Sequence, residues 1–263
     1  MTAFSFCQET ESSISFITNC INEIASLNIN NAEKNIILLK KSELKNKLKI
    51  YIDIKQNNGY KLHNHQKYIE NLNIQKRTID VNYLLDILIL TEDAILYKKD
   101  RIKAFHLAHK GYKVSESIKN SFFQTQFLLN ILNVYISGII NTDKNVNFYL
   151  EKLFELNKKN IVYLFKYYSY KIYLNEIGLL KGSNKKKINQ RRLISNKIIK
   201  KLDSLSRKLT PSQNNLLIEL YHLKGLNSLS KKKHLIANNY FIKELELLKN
   251  KKNVYYNKWL SSN

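Results

Sequence analysis

Apolar residues recur along this chain at intervals of three and four, the period of a helix with one covered face. Ile14, Ile17, Ile21 and Ile24 share one side of a helix predicted over 12–28, with Ser12 or Ser13 available as its N-cap. A second helix is predicted from Ala32 to Ile54, followed by a loop at 56–60 and a weaker helix over 62–75. Val81 to Tyr97 is dense in Leu and Ile. Further helices are predicted over 101–118, 120–141, 145–157, 160–181, 187–208, 212–229, 231–249 and 251–260. Such lengths with short connections suit antiparallel helical hairpins, so the expected class is all-α.

Two helices have unusual surfaces. Residues 120–142 carry no charge, a length that reaches across a bilayer. Gln124, Gln126, Asn130, Asn133 and Ser137 are spread through them, and each would need a partner in lipid, so a central buried helix is expected instead. In 161–174, Ile161, Leu164, Phe165, Tyr168 and Ile172 form one apolar face, and Tyr163, Tyr167, Tyr170 and Leu174 form another. Tyrosines interleaved with Lys166 and Lys171 resemble a base-stacking platform. A helix apolar on two faces belongs between neighbours, and the core reading is preferred.

Composition supports helices. There is one proline, Pro211, and six glycines, too few for the turns of an all-β fold, while Asn, Asp and Lys crowd the predicted connections. Cys7 and Cys20 form neither a metal pair nor a disulfide framework, so a reducing, cytoplasmic setting is expected. The first residues lack the basic start of a secretory signal.

The formal charge is +23, and residues 1–33 contribute four glutamates and no Lys or Arg. Codon bias explains Lys in place of Arg but not the scarcity of acids. A strong basic field attracts polyanions, while five arginines are few for reading base edges. The charge concentrates between Ile177 and Leu202, with nine basic residues and no acid. Ile194, Ile198, Leu202, Leu205 and Leu209 form a helical stripe there, with most cations on the opposite arc. The candidate surface for a polyanion or acidic partner is Lys185, Lys186, Lys187, Arg191, Arg192, Lys197, Lys200, Lys201, Arg207 and Lys208.

A repeat emerges in the second half. Val134, Leu174 and Tyr221 each precede by four positions a glycine (Gly138, Gly178 and Gly225) followed by Ile or Leu. Ala237 and Phe241 follow Gly225 at the spacing of a second helix, and Leu150 and Phe154 stand in the same relation to Gly138. With these residues the segment 130–260 resembles the tetratricopeptide repeat family. The resemblance implies hairpins stacked as a superhelix that holds peptides or proteins on a concave face, and it implies no chemistry. After Gly178 the match requires a basic insertion, which places Ile198 and Leu202 in a second helix. The expected organisation is an acidic N-terminal capping helix at 1–30, hairpins of weak repeat character at 31–129, and a tetratricopeptide-like region at 130–263 with the basic insertion at 181–208.

Catalytic signals are sparse. Arg101 and His106 resemble the Arg and His motif of HEPN ribonucleases, where His would serve in proton transfer, but Ile102 stands where that family places a polar residue. His63 and His65 share no helical face and have no nearby acid cluster, so no metal is expected. Glu92 and Asp93 read as a solvent-facing pair. No phosphate loop or nucleophile motif is present, and no cofactor is expected. The expected function is that of a non-catalytic adaptor for an acidic protein or peptide, away from membranes. RNA or a ribonucleoprotein is the alternative partner, and ribonuclease activity a distant one.

Overall fold

The computed structural model describes residues 15–24, 29–39, 42–55, 59–72, 80–96, 99–136, 143–180, 185–210 and 213–249. Every regular element among them is helical. Helix α1 covers 15–24. It is followed by α2 (Ile29–Ile37), α3 (Ser42–Lys55), α4 (Gly59–Glu70), α5 (Val81–Leu96), α6 (Arg101–Ser117) and α7 (Ser121–Ile136). Then come α8 (Asp143–Asn157), α9 (Ile161–Leu180), α10 (Lys185–Ser206), α11 (Asn214–Ser230) and α12 (His234–Lys249). The predicted helix over 251–260 lies outside the described residues. The chain divides into two compact units at Ile131/Leu132, inside α7. In both, helices adjacent in sequence pack together, and α3 also packs on α5 and α9 on α11, skipping the helix between. This is the contact pattern of successive hairpins, so the all-α helical-hairpin expectation holds.

Polar residues of the turns start and stop the helices as expected. The carboxylate of Asp100 accepts the Lys103 amide at 3.0 Å, and the Asn120 side-chain oxygen accepts the Phe123 amide at 3.1 Å. Lys119 and Lys232 adopt the left-handed conformation just past α6 and α11. The amides after them, of Asn120 and Lys233, return to the carbonyls of Ser115 and Ser228 at 2.8 and 3.0 Å. The predicted helix from Ala32 to Ile54 is two helices. The Leu38 and Leu39 amides close on Asn35 and Ile36 carbonyls, and α3 starts afresh at Ser42.

In the first unit, α1 buries Ile17, Ile21 and Ile24, as its periodicity predicted, together with Cys20; Ile14 lies outside the described residues. Burial and the nearby Glu23 push the Cys20 thiol up to about 11, so it is packing rather than a nucleophile. Helix α5 lies between α3 and α6 and is covered almost all round. Its acids must therefore find partners in the interior. Lys47 and Asp86 form an ion pair at 2.9 Å with both side chains buried, and Lys55 pairs with Glu92. Glu92 and Asp93, expected to face solvent, are each 4 % exposed. The uncharged stretch is a short helix, α7, that buries Phe123, Phe127, Leu128 and Ile131; no described helix is long and apolar enough to cross a membrane.

Glycines set the closest helix approaches. A Cβ on Gly225 would stand 2.3 Å from Cε1 of Phe241, so the ring of α12 lies directly on the α11 backbone. Gly111 of α6 receives the Phe127 ring of α7 in the same way, at 2.3 Å from Cζ. Both pairs are separated by sixteen residues, as are Gly138 and Phe154. The spacing thus extends upstream of residue 130. Gly138 lies outside the described residues, and of Gly178 only the backbone, within α9, is described.

Two predictions follow from this packing. Asp86→Ala removes the one buried partner of the Lys47 ammonium, leaving it only the exposed Glu43 at 3.2 Å, and lowers unfolding free energy by about 3 kcal/mol. The double change Lys47→Met/Asp86→Leu costs less than that single change; urea denaturation of the three proteins checks both statements. Gly225→Val, which drives a side chain into the Phe241 ring, destabilises by about 1–3 kcal/mol, whereas Gly225→Val with Phe241→Ala recovers part of the loss.

Candidate functional site

The basic segment becomes the helix α10, held down on one side. Ile198 and Leu202 enter a core with Phe165 and Ile172 of α9 and Leu216, Leu220 and Leu223 of α11, while Ile199, Leu205 and Leu209 pack partly against it. Ile194 departs from the predicted stripe and is 48 % exposed. Its place toward the core is taken by Ser195, whose hydroxyl accepts from Asn175 Nδ2 at 2.7 Å. The same Asn175 nitrogen donates to the Arg191 carbonyl at 2.7 Å, so a polar contact, not an apolar one, seats the first half of α10.

The predicted cations separate into three groups. Lys185, Lys186 and Lys187 begin α10, and their side chains lie outside the described residues. Arg191 and Arg192 are half-buried and occupied. Arg191 Nη1 donates to the Asn175 carbonyl at 3.4 Å, and Arg192 Nη2 to the Ser230 carbonyl, the last of α11, at 2.6 Å. Lys197, Lys200, Lys201, Arg207 and Lys208 are exposed. Lys201 sits 5.7 Å above the Tyr168 ring, and no described carboxylate pairs with any of the five. The one acid close by in sequence, Asp203, is taken by Lys224 of α11 at 2.5 Å. Leu193, 61 % exposed, and Ile194 share the outer arc with these cations.

The aromatic helix α9 is core, as preferred: Phe165, Tyr167, Tyr170 and Ile172 are buried. What sequence reasoning missed is a cavity of about 470 Å³ beside it. Its lining comes from α7 (Asn133, Ile136), α9 (Lys166, Tyr170, Tyr173), α11 (Asn215, Ile218, Glu219, His222) and α12 (Glu244). Lys166 Nζ bonds Glu219 Oε2 at 2.5 Å, His222 Nδ1 lies 3.2 Å from Glu244 Oε2, and the Tyr170 hydroxyl donates to Asn133 at 2.8 Å. Burial first, then the carboxylates of Glu219 and Glu244, raise the Tyr173 phenol well above its ordinary range. Residues this far apart in sequence give no local motif.

The remaining candidates disperse. Arg101 opens α6 half-buried, and His106 lies exposed about 140° further round the same helix, its ring edge-on to Phe105 at 6.0 Å. His65 Nε2 lies 3.0 Å from Asp53, bridging α4 to α3; the His63 side chain lies outside the described residues. No group of three metal-binding side chains occurs among the described residues. Tyr221, four positions before Gly225, stacks on Tyr240, and Ala237 of α12 is buried. Compared with protein-family models, curated proteins and solved structures, the chain matches none of them.

The two kinds of cation respond differently to removal. Arg192→Met deprives the α11 terminus of a charged donor and destabilises by about 1.5–3 kcal/mol. Lys200→Ala stays within about 0.5 kcal/mol of the parent. Thermal and urea unfolding of the two variants measures the contrast.

Proposed function

We propose that this protein is a non-catalytic helical-repeat adaptor that uses the outer face of α10 to hold an acidic protein or peptide. The observation that carries the reading is the exposed, unneutralised array of Lys197, Lys200 and Lys201 on a helix whose other face is anchored by Ile198 and Leu202, continued by Arg207 and Lys208 in the turn that follows it. A rigid row of cations attracts an anionic surface and restricts its orientation. The exposed Leu193 and Ile194 within the row favour a protein over a nucleic acid, because apolar side chains between cations match an acidic surface with apolar residues better than a phosphate backbone.

This reading differs in one respect from that implied by a tetratricopeptide-like scaffold, in which the partner occupies the concave face of the repeats. Here the cavity between α9 and α11 carries Glu219 and Glu244 against the single ammonium of Lys166. Its charge does not suit an acidic peptide. The acidic partner therefore belongs on α10.

The triple change Lys197→Glu, Lys200→Glu and Lys201→Glu is expected to abolish binding of a Glu/Leu-containing acidic peptide while far-UV circular dichroism stays helical. Parent binding is expected to weaken with salt yet persist at physiological ionic strength, because the apolar contacts are unscreened. A much tighter, steeply salt-dependent affinity for single-stranded RNA, lost in the same variant, would transfer the surface to nucleic acid. Peptide binding unchanged by the triple reversal would refute the assignment.

A further inference from the structure

The cavity in the second unit has its own chemistry. Its two carboxylates are each engaged through one oxygen only, Glu219 Oε2 by Lys166 and Glu244 Oε2 by His222. Neither Oε1 accepts a hydrogen bond from any described residue. The Tyr173 hydroxyl and the Asn215 side chain also line the cavity without a hydrogen-bond partner among the described residues. Both carboxylates act electrostatically on the Tyr173 phenol, and all three side chains line the same cavity. The remainder of the lining is apolar or aromatic: Ile136, Ile218 and the faces of Tyr170 and Tyr173.

A surplus of acceptors, two carboxylates beside the single permanent ammonium of Lys166, and aromatic rings call for a donor-rich cation. An ammonium offers three N–H donors and a guanidinium five, neither accepts, and both are attracted to aromatic faces. The aliphatic stem that carries such a head matches the apolar wall, and about 470 Å³ accommodates a ligand of this size. An anion would meet Glu219 and Glu244 directly. A neutral apolar ligand would leave the free carboxylate oxygens desolvated and unpaired, which is costly.

We infer that this cavity is a binding site for an organic cation, a primary ammonium or guanidinium head on an aliphatic stem, held by Glu219, Glu244 and Tyr173. The site is separate in place and in charge from the outer face of α10, so the protein offers a cation site and an anion-binding surface within one unit. The cation is either the basic side chain of a peptide or a free polyamine, which share the same recognition chemistry.

The test is isothermal titration of the full chain with spermidine and, separately, with a blocked short peptide containing one arginine. The expected result is saturable one-to-one binding of at least one probe, weakened about tenfold or more by Glu219→Gln, since a charged hydrogen bond is lost. Lys200→Glu, on the outer face of α10, should leave it unchanged. Ile136→Trp, which fills the cavity without touching its charges, should also abolish binding, and it carries the test if Glu219→Gln does not fold. Binding of the peptide alone assigns the site to a partner's side chain, and binding of spermidine alone to a free amine. No saturable binding of either probe overturns the inference. So does binding that survives Ile136→Trp, or binding indifferent to Glu219→Gln in a folded protein.

Discussion

The burial of Ile198 and Leu202 between α9 and α11 is the contact on which the proposed function rests. Without it, residues 185–206 would be a lysine-rich segment whose charges point wherever thermal motion takes them. With it, one arc of the helix is committed to the core and the opposite arc is fixed toward solvent. Asn175, reaching across to the Arg191 carbonyl and Ser195 hydroxyl, and Arg192, capping the end of α11, complete the attachment. The helix is thereby held to both of its neighbours, and the cations that play no part in holding it form the exposed row.

A second regularity concerns where the acids are. The chain has 21 carboxylates against 44 lysines and arginines. Several of the few are used between helices: Asp86 and Glu92 of α5 with lysines of α3, Asp53 of α3 with His65 of α4, Glu219 of α11 with Lys166 of α9, Glu244 of α12 with His222 of α11, and Asp203 of α10 with Lys224 of α11. Carboxylates placed in such junctions cannot neutralise outward-facing lysines. Each such junction also uses a lysine or a histidine, so the excess of cations left outside remains the one that the composition sets. Buried pairs of this kind contribute less to net stability than to fixing which helix meets which, because the desolvation of both charges offsets much of their attraction.

Much of the fold was legible because it is written locally. Helical periodicity located nearly every element, the two apolar faces of 161–174 marked a sandwiched helix, and the second helix packs close over Gly225, where the Phe241 ring lies. The errors arose where a distant residue decides the outcome. Glu92 looks like a surface acid until Lys55, thirty-seven positions upstream, is folded against it. Ser195 displaces Ile194 from the core side because Asn175 of α9 supplies a polar partner that the apolar stripe alone does not reveal. The pairing of Gly111 with Phe127 was readable in principle, since it repeats the sixteen-residue separation of Gly225 and Phe241. The cavity was not, because four helices build it and no two adjacent residues announce it.

The most direct measurement is lysine footprinting by reductive methylation and mass spectrometry, with and without an acidic, leucine-containing peptide. The account predicts protection concentrated at Lys197, Lys200, Lys201 and Lys208, with Lys166 and Lys224, already held by Glu219 and Asp203, unchanged by the peptide. Protection spread evenly over the surface lysines would contradict it, because the charge would then act as a diffuse field rather than through the face that α10 presents.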